Sequence, residues 1–329
     1  MPPPVKEATP AARLPLVAEF LHTPEPAGRH CHAATLARTS EGDLVAAWYG
    51  YPDIETRDGT IVLARRKRGS PHWSAAAVVQ TSPRSLGNPV LFESADGSLV
   101  LLYALLDGAY WNSARLLLTR SRDGGRTFEP PRQLTSRKGW MIRHRPLRTT
   151  EGSWLLPVYD EARKTSFVLR SSPDGMKWAA EEPFGDVPAI QPALVRAPND
   201  ALVAFFRPAT DPRRIWRSVS NDDGRSFSPP RPTPLPCPLS GIAAFATPNA
   251  LGIVYNHTEE HSRFPLSVSL TRDLGLSFGA PQHFENAPFE VSYPSFVDAM
   301  GGLVEGVFTY NRRMMKHVRI PAHALEEIA

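Results

Sequence analysis

Six short apolar runs recur along the chain, and each follows a tight turn that contains Gly or Asn. They cover residues 44–48, 99–106, 154–159, 202–206, 251–255 and 303–310. Another short run precedes each turn, and in four units it opens with a residue followed by Pro. Because Pro is tolerated at the first residue of a strand, each unit predicts two antiparallel strands joined by a turn.

A second repeated feature follows each pair of predicted strands. Residues 121–128 read Ser-x-Asp-x-Gly-x-Thr-Phe, residues 220–227 and 271–278 repeat the pattern, and residues 171–178 carry a weaker copy with Asp174 displaced by one position. The closing aromatics Trp73, Phe128, Trp178, Phe227 and Phe278 are 55, 50, 49 and 51 residues apart. Asp accepts local backbone hydrogen bonds and Gly adopts positive φ, so we expect a structural hairpin turn. A period of about 50 residues is typical of propeller blades.

These patterns together predict an all-β protein, a six-bladed β-propeller with four-stranded antiparallel blades. The sixth unit has only three strands of its own, so we expect residues 14–20 to supply its fourth strand, which closes the ring and removes free sheet edges. We predict one propeller domain over residues 13–329 and a flexible tail over residues 1–12.

Composition narrows the classes of partner. Net charge is +4, from 37 basic and 33 acidic residues spread along the chain, so no basic run predicts nucleic-acid binding. No apolar run approaches 18 residues, and the chain shows no signal peptide; we therefore expect a cytoplasmic protein that does not insert into membranes. Its two cysteines, Cys31 and Cys237, lack metal-ligand spacing, and we predict neither a metal nor another cofactor. The sequence does not indicate the oligomeric state.

The predicted topology also locates the functional face. The starts of the first strands and the loops between second and third strands meet on one face near the axis. The strand starts carry His32, Asn88, Arg145, Gln191 and Tyr293, and the loops add Asp53, Asp58, Glu161, His257, Arg263, Arg312 and Arg313. Because polar groups of both signs converge at one mouth, we expect a ligand pocket there.

At this point several stretches resemble a known family. They are Asn88-Pro-Val-Leu-Phe, Gln191-Pro, Tyr255-Asn-His-Thr, Arg263-x-Pro-Leu, Ser292-Tyr-Pro and Lys316-His-Val. With the repeated Asp motif, they resemble the BNR-repeat (Asp-box) bacterial branch of the sialidase, or neuraminidase, superfamily over about residues 30–320. The resemblance implies an exo-acting glycoside hydrolase whose partner is an acidic carbohydrate, either sialic acid or a related uronic acid.

The resemblance also implies roles for individual residues. Sialidases grip the substrate carboxylate with three arginines, since a guanidinium fork matches a planar carboxylate; here Arg145 and Arg263 are expected, with Arg312 or Arg313 as the third. They pair a Tyr nucleophile with a Glu and use an Asp as acid/base, which implies Tyr293, Glu161 and Asp58 or Asp53. His32, Asn88, Gln191 and His257 are expected to bind substrate. His32-Ala33 stands where the family carries Arg-Ile-Pro.

Two other functions stay open. His32, His144, His257 and Tyr293 are competent proton-transfer groups, so the pocket could belong to a polysaccharide lyase that acts on uronic-acid glycans. A propeller that binds a glycan without turnover would carry the same features. Among the nominated residues, Arg145 precedes Pro146 and has no acidic neighbour in sequence, so we expect its side chain to emerge beside the axis and to bind the substrate carboxylate.

Overall fold

The Asp-containing turns are built from local hydrogen bonds in a computed structural model that describes residues 14–22, 28–173, 175 and 177–328. The Asp123 carboxylate accepts hydrogen bonds from the backbone N–H groups of Arg126 and Thr127, both at 2.9 Å, and from the Thr127 hydroxyl at 2.7 Å. Gly125 has a φ of 87°. The copies at Asp222 and Asp273 make the equivalent bonds. The predicted tail over residues 1–12 and the displaced Asp174 lie outside the described residues.

Each turn belongs to a four-stranded antiparallel blade, and the predicted six-bladed β-propeller is confirmed. Strand β1 (Val17–Phe20) comes first in the chain. Blade 1 contains β2 (His30–Arg38), β3 (Leu44–Tyr51), β4 (Thr60–Arg66) and β5 (Ala77–Gln80). Blade 2 contains β6 (Leu86–Glu93), β7 (Leu99–Leu106), β8 (Ala114–Ser121) and β9 (Arg132–Gln133), with a 3-10 helix at Trp111–Ser113.

The remaining blades repeat this order. Blade 3 contains β10 (Trp140–Ile142), β11 (Leu147–Arg148), β12 (Trp154–Asp160), β13 (Thr165–Ser171) and β14 (Trp178–Pro183). Blade 4 contains β15 (Ala189–Arg196), β16 (Leu202–Pro208), β17 (Arg214–Ser220) and β18 (Arg231–Pro236). Blade 5 contains β19 (Ala243–Ala246), β20 (Leu251–Asn256), β21 (Leu266–Thr271) and β22 (Gln282–Glu285). Blade 6 contains β23 (Val291–Met300), β24 (Leu303–Tyr310) and β25 (Met314–Pro321), before the short helix α1 (Ala322–Glu326).

Strand β1 completes blade 6, as the missing fourth strand predicts. It pairs antiparallel with β25, with Val17 opposite Arg319 and Phe20 opposite Lys316. The Glu19 carboxylate adds a polar link, since it accepts hydrogen bonds from Arg66 of blade 1 and from His317 of β25, both at 3.1 Å. The first and last strands of the chain are therefore held together with blade 1.

The hydrophobic core lies between adjacent blades. The closing aromatics of the turn motif fill these spaces: Phe227 lies 4.7 Å from Phe184, centroid to centroid, and Phe278 lies 6.4 Å from Phe205. Edge-on aromatic contacts of this kind add to the free energy of burial. The motif is thus architectural, in agreement with its sequence.

The first strand of four blades contains a bulge near the axis. Ala33, Asn88, Gln191 and Tyr293 have φ values of 52°, 46°, 53° and 52°, and the register of each strand shifts at this point. Left-handed backbone is uncommon for residues other than Gly. A bulge re-aims a side chain, so the bulge residues differ in direction from their neighbours on the strand.

Blade 3 departs from this arrangement. The sequence predicts one first strand over residues 145–149, but β10 and β11 pair separately with β12, and residues 143–146 interrupt the strand between them. The position nearest the axis is consequently occupied by Arg143, two residues before the predicted Arg145.

Replacement of Asp222 by Asn tests the turn motif. Hydrogen bonds from Ser226 are the largest cause that lowers the pKa of Asp222 to about 2. A carboxyl group whose pKa is lower in the folded than in the unfolded state stabilises the fold at pH values above its unfolded-state pKa. This stabilisation is lost as the pH falls toward 2. We expect Asp222→Asn to reduce the unfolding free energy by about 1–2 kcal/mol at pH 7, with a difference that narrows between pH 4 and 2 in urea titrations.

The exposed turn residue Glu41 supplies the control. Glu41→Gln should change the unfolding free energy by less than about 0.5 kcal/mol. A loss on Asp222→Asn that is the same at every pH would contradict the assignment of the carboxylate charge to the turn.

Candidate functional site

A cavity of about 240 Å³ is lined by residues from all six blades. Blades 2, 4 and 6 contribute bulge residues of their first strands, and the other lining residues come from the ends of second strands and the loops that follow. Only the axial region of a propeller is shared by every blade, so the cavity lies at the axis on the face that the sequence predicts. Six predicted site residues line it: Asn88, Glu161, Gln191, Arg263, Tyr293 and Arg312.

Tyr293 lies at the centre of this pocket and is 9% exposed. Arg207 Nη1 donates a hydrogen bond to the phenol oxygen at 2.9 Å. The His32 ring centroid is 4.3 Å from that of Tyr293, and the Arg263 guanidinium carbon is 5.4 Å from it. Burial would raise the pKa of Tyr293, but Arg207, Arg263 and a hydrogen bond from Gln191 outweigh burial and lower it. The surroundings therefore make the Tyr293 phenol more acidic than an ordinary tyrosine.

Three arginines, Arg207, Arg263 and Arg312, line the pocket together with Tyr293, and a shared carboxylate orders two of them. Glu290 accepts hydrogen bonds from Arg263 Nη1 at 2.9 Å and from Arg312 Nε at 2.7 Å. Burial would raise the pKa of Glu290, but the two guanidinium groups lower it. Glu290 is therefore ionised at neutral pH and fixes both guanidinium groups beside the pocket.

Arg207 is the cation of this group that lacks an acidic partner. Among the described residues it forms no ion pair within 4.0 Å, and its Nε is buried without a hydrogen-bond acceptor. A guanidinium in a partly desolvated site is stabilised by an anion. Arg207 thus leaves the pocket with positive charge available to a ligand.

Two carboxylates line the pocket and have different surroundings. Glu55 accepts a hydrogen bond from Tyr49 at 2.5 Å and pairs with Arg312 at 2.8 Å. Glu161 pairs with Lys164 at 2.5 Å, and both residues border the cavity. Burial, followed by the Glu55 charge, raises the pKa of Tyr49 well above its usual value, so Tyr49 stays protonated and donates to Glu55.

Several predicted site residues lie elsewhere. Asp58 is exposed and does not line the cavity, and neither does Asp53. In their loop, Glu55 points to the pocket instead, because it pairs with both Tyr49 and Arg312. Asp58 has a φ of 53° and leads into Gly59, whose N–H is bonded to Ser85.

Arg145 is the clearest correction. Its guanidinium pairs with Asp298 at 2.7 Å and lines a separate cavity at the far ends of β2, β6 and β23. The expectation that its side chain emerges in the axial pocket without an acidic partner is therefore wrong. The interruption of the first strand in blade 3 is the physical reason, because it places Arg143 in that position.

Three further residues do not border the pocket. Arg313 is exposed, next to the inward-facing Arg312. His257 Nδ1 is 2.6 Å from the Tyr255 hydroxyl, and its ring lies 5.7 Å from that of His283. His32 is buried behind Tyr293, where burial and nearby arginines hold its pKa well below the usual value. His32 is thus a neutral imidazole that supports the phenol ring.

Sequence reasoning missed Tyr49, Trp111, Tyr159, Glu55 and Arg207, which all line the pocket. Arg207 and Tyr159 are each the last but one residue of the second strand of their blade. This position at the strand end could have identified them as pocket residues. Trp111 lies on the 3-10 helix and packs its ring on Gly87, where an added Cβ would be 2.7 Å from the indole.

The described residues contain no group of three His, Cys, Asp or Glu side chains that could hold a metal ion. None of the helices in the same part of the chain has the length and hydrophobicity needed to cross a membrane.

Comparisons with known proteins agree with this architecture. The profile of the BNR repeat-like domain matches residues 42–305. None of the curated protein sequences compared shows significant similarity.

Three of the similar solved structures are sialidases or a trans-sialidase. The NanB sialidase from Streptococcus pneumoniae has a TM-score of 0.79 at 10% identity, with 93% of this chain and 71% of that chain covered. The Hadza microbial sialidase Hz136 has a TM-score of 0.77 at 14% identity, with 92% and 67% covered. The intramolecular trans-sialidase from Ruminococcus gnavus has a TM-score of 0.75 at 11% identity, with 93% and 97% covered.

At these identities the structural likeness concerns the fold, whereas the profile match covers most of the chain. The chain belongs to the BNR repeat-like domain family, and it has the six-bladed propeller fold of the sialidases.

Proposed function

We propose that the protein is a sialidase-like exo-glycosidase that removes a terminal acidic sugar, either sialic acid or a related uronic acid. The observation that carries the proposal is the convergence of Arg207, Arg263 and Arg312 in the cavity that Tyr293 also lines, with Arg207 and Arg263 beside its ring. A cavity of about 240 Å³ suits one sugar unit better than a chain, which favours exo-action.

The arginines supply the carboxylate site. Arg263 and Arg312 are held by Glu290, while Arg207 has no ion-pair partner among the described residues. Guanidinium groups bind carboxylates through paired, charge-assisted hydrogen bonds. A substrate carboxylate placed between them would be bound directly beside Tyr293.

Tyr293 and Glu161 supply the reacting groups. The Tyr293 phenolate attacks the anomeric carbon, and the bond to the leaving oxygen breaks as that oxygen takes a proton from the Glu161–Lys164 pair, in which the Lys164 ammonium carries the proton. Water then attacks the anomeric carbon of the covalent intermediate, Glu161 accepts a proton from it, and the phenolate departs. Two displacements at one carbon retain its configuration. Of the pocket carboxylates, Glu55 is held by Tyr49 and Arg312, whereas the partner of Glu161 is Lys164, which is itself a proton donor.

A glycan-binding propeller without turnover is the second candidate. The observation that favours it concerns the phenol oxygen of Tyr293, whose hydrogen-bond partners are Arg207 and Gln191. Neither group is a base, so activation of the phenol depends on its lowered pKa alone. Binding of the acidic sugar without product would support this candidate.

Incubation with a panel of sialosides and uronic-acid glycans tests the proposal. We expect the release of one free acidic sugar with retained anomeric configuration, which proton NMR would detect. The Tyr293→Phe variant should release no sugar. A product with the absorbance of a 4,5-unsaturated uronic acid would identify a lyase instead. If the folded protein releases nothing from any acidic glycan, the hydrolase proposal is wrong.

Paired arginine substitutions test the location of the carboxylate site. Arg263→Lys keeps the charge but loses the guanidinium fork, so we expect kcat/KM to fall roughly 10- to 100-fold, equivalent to about 1.5–3 kcal/mol. Arg145→Lys should leave kcat/KM within about twofold, because Arg145 pairs with Asp298 outside the pocket. Equal losses in the two variants would contradict this assignment.

Glu290→Gln tests whether the arginines must be ordered. The variant keeps the shape of the side chain but removes the charge that fixes Arg263 and Arg312, so we expect KM to rise by about tenfold. The matched control is Glu259→Gln, which removes a charge paired with Arg214 on the exposed rim and should leave KM unchanged. An unchanged KM in Glu290→Gln would show that Glu290 has no part in carboxylate binding.

A further inference from the structure

Arg143 is a fully buried cation in the interior of the propeller. It is 1% exposed and lies in the interruption between β10 and β11. It does not line the axial cavity. The proposed reaction assigns no role to it.

Its hydrogen bonds reach across the axis to two other blades. Nη1 donates to the carbonyl of Ala34 in blade 1 at 3.0 Å. Nη2 donates to the carbonyls of Tyr293 and Pro294 in blade 6, at 2.7 and 3.0 Å. All three acceptors belong to the first-strand bulges of their blades, so one side chain of blade 3 fixes the bulges of blades 1 and 6.

An arginine at position 143 lowers the stability of the fold, because its charge is buried without an opposite charge in the described part of the chain. Among the described residues Arg143 has no acidic partner within 4.0 Å, and burial lowers its pKa to about 10. It still carries its charge at neutral pH, with only carbonyl dipoles and aromatic rings to stabilise it. Burial of an ion without an opposite charge costs several kcal/mol. A residue retained at such a cost is a candidate for function.

The bonds of Arg143 act on the backbone of the proposed nucleophile. Tyr293 has a φ of 52°, a conformation that is strained in a residue other than Gly. Arg143 binds the carbonyl of this same residue, and its guanidinium carbon lies 5.4 Å from the ring centroid. It therefore restrains both the backbone and the ring of Tyr293.

The Tyr293 ring has neighbours on every side. His32 lies against it at 4.3 Å, and a Cβ added to Gly241 would be 3.1 Å from two of its ring carbons. The charged and titratable groups that face it are Arg143, Arg207, Arg263, His32, Tyr49, Tyr159 and, through its charge, Glu55. The phenol oxygen reaches Arg207 only while the ring keeps this position.

We infer that Arg143 is a positioning residue for Tyr293, which holds the phenol oxygen between Arg207 and Gln191. Loss of the Arg143 bonds lets the bulge relax and moves the phenol away from the cations that favour its ionised form. The inference rests on the proposed role of Tyr293 in the reaction, but its first test does not require a substrate.

That test is the ionisation of Tyr293 in the full chain without ligand. Phenolate absorbance is titrated in the wild-type protein, Arg143→Lys and Arg143→Met, and each curve is subtracted from that of the same protein with Tyr293→Phe. We expect Tyr293 to ionise at higher pH in both Arg143 variants, with Lys closer to wild type than Met. With an active substrate, kcat should fall about tenfold while KM changes less than about threefold.

Two further variants distinguish an effect on the position of the Tyr293 ring from a general loss of protein stability. Arg66 is another buried arginine, bonded to Glu305 and Glu19 outside the pocket, and Arg66→Lys should lower thermal stability without changing the Tyr293 titration. Gly241→Ala keeps every charge but crowds the ring, so it should shift the titration in the same direction as the Arg143 variants.

The outcomes distinguish the inference from the proposed function. If the Tyr293 titration shifts in the Arg143 variants but the wild-type protein releases no sugar, the positioning role of Arg143 is supported and the hydrolase proposal is rejected. An unshifted titration with lower stability in Arg143→Lys overturns the inference and assigns Arg143 to the fold. Failure of both Arg143 variants to fold overturns it as well, since the residue would then be required for folding itself.

Discussion

The bulge in the first strand is the constraint on which the site depends. Strands that converge on a propeller axis would direct alternate side chains into the neighbouring blades. A left-handed residue at Asn88, Gln191 and Tyr293 breaks that alternation and directs polar groups toward the axial cavity. Local strain of this kind persists only where surrounding contacts hold it. Arg143, in the interruption of blade 3, supplies such contacts to the bulges of blades 1 and 6. The same few residues therefore hold the fold near the axis and shape the pocket.

Electrostatics in the pocket follow a simple division. Glu290 and Glu55 stand behind Arg263 and Arg312 and keep them charged and ordered, while Arg207 lacks an acidic partner among the described residues. Because Arg207 also touches the phenol, a bound carboxylate would weaken the field that favours the phenolate. In the reaction proposed above, substrate binding and activation of the Tyr293 phenol would therefore depend on the same cation, Arg207.

The sequence predicts the blades well because their determinants are local. The Asp motif closes its own turn with bonds to residues three and four positions later, and the missing fourth strand of blade 6 identifies residues 14–20 as its partner. The site was predicted in part, since Tyr293 and Gln191 follow from strand position and Arg263 from its place in the loop between the second and third strands of blade 5. Arg145 was misplaced because the interruption of a strand depends on what packs across the axis. The choice of Glu55 over Asp58 depends on Arg312, more than 250 residues away in the chain, and periodicity contains no information about that contact.

Closure of the ring through β1 also has a consequence for the order of events during synthesis. Val17 pairs with Arg319, so β1 cannot pair until the chain has been made as far as β25. At roughly 5–20 residues per second, that interval lasts tens of seconds, during which five blades can form while β1 remains unpaired. Glu19 and Arg66 can meet His317 and Glu305 only after this delay. Until β25 is made, the propeller is therefore an open ring with two unpaired strand edges, which are prone to pair with another chain.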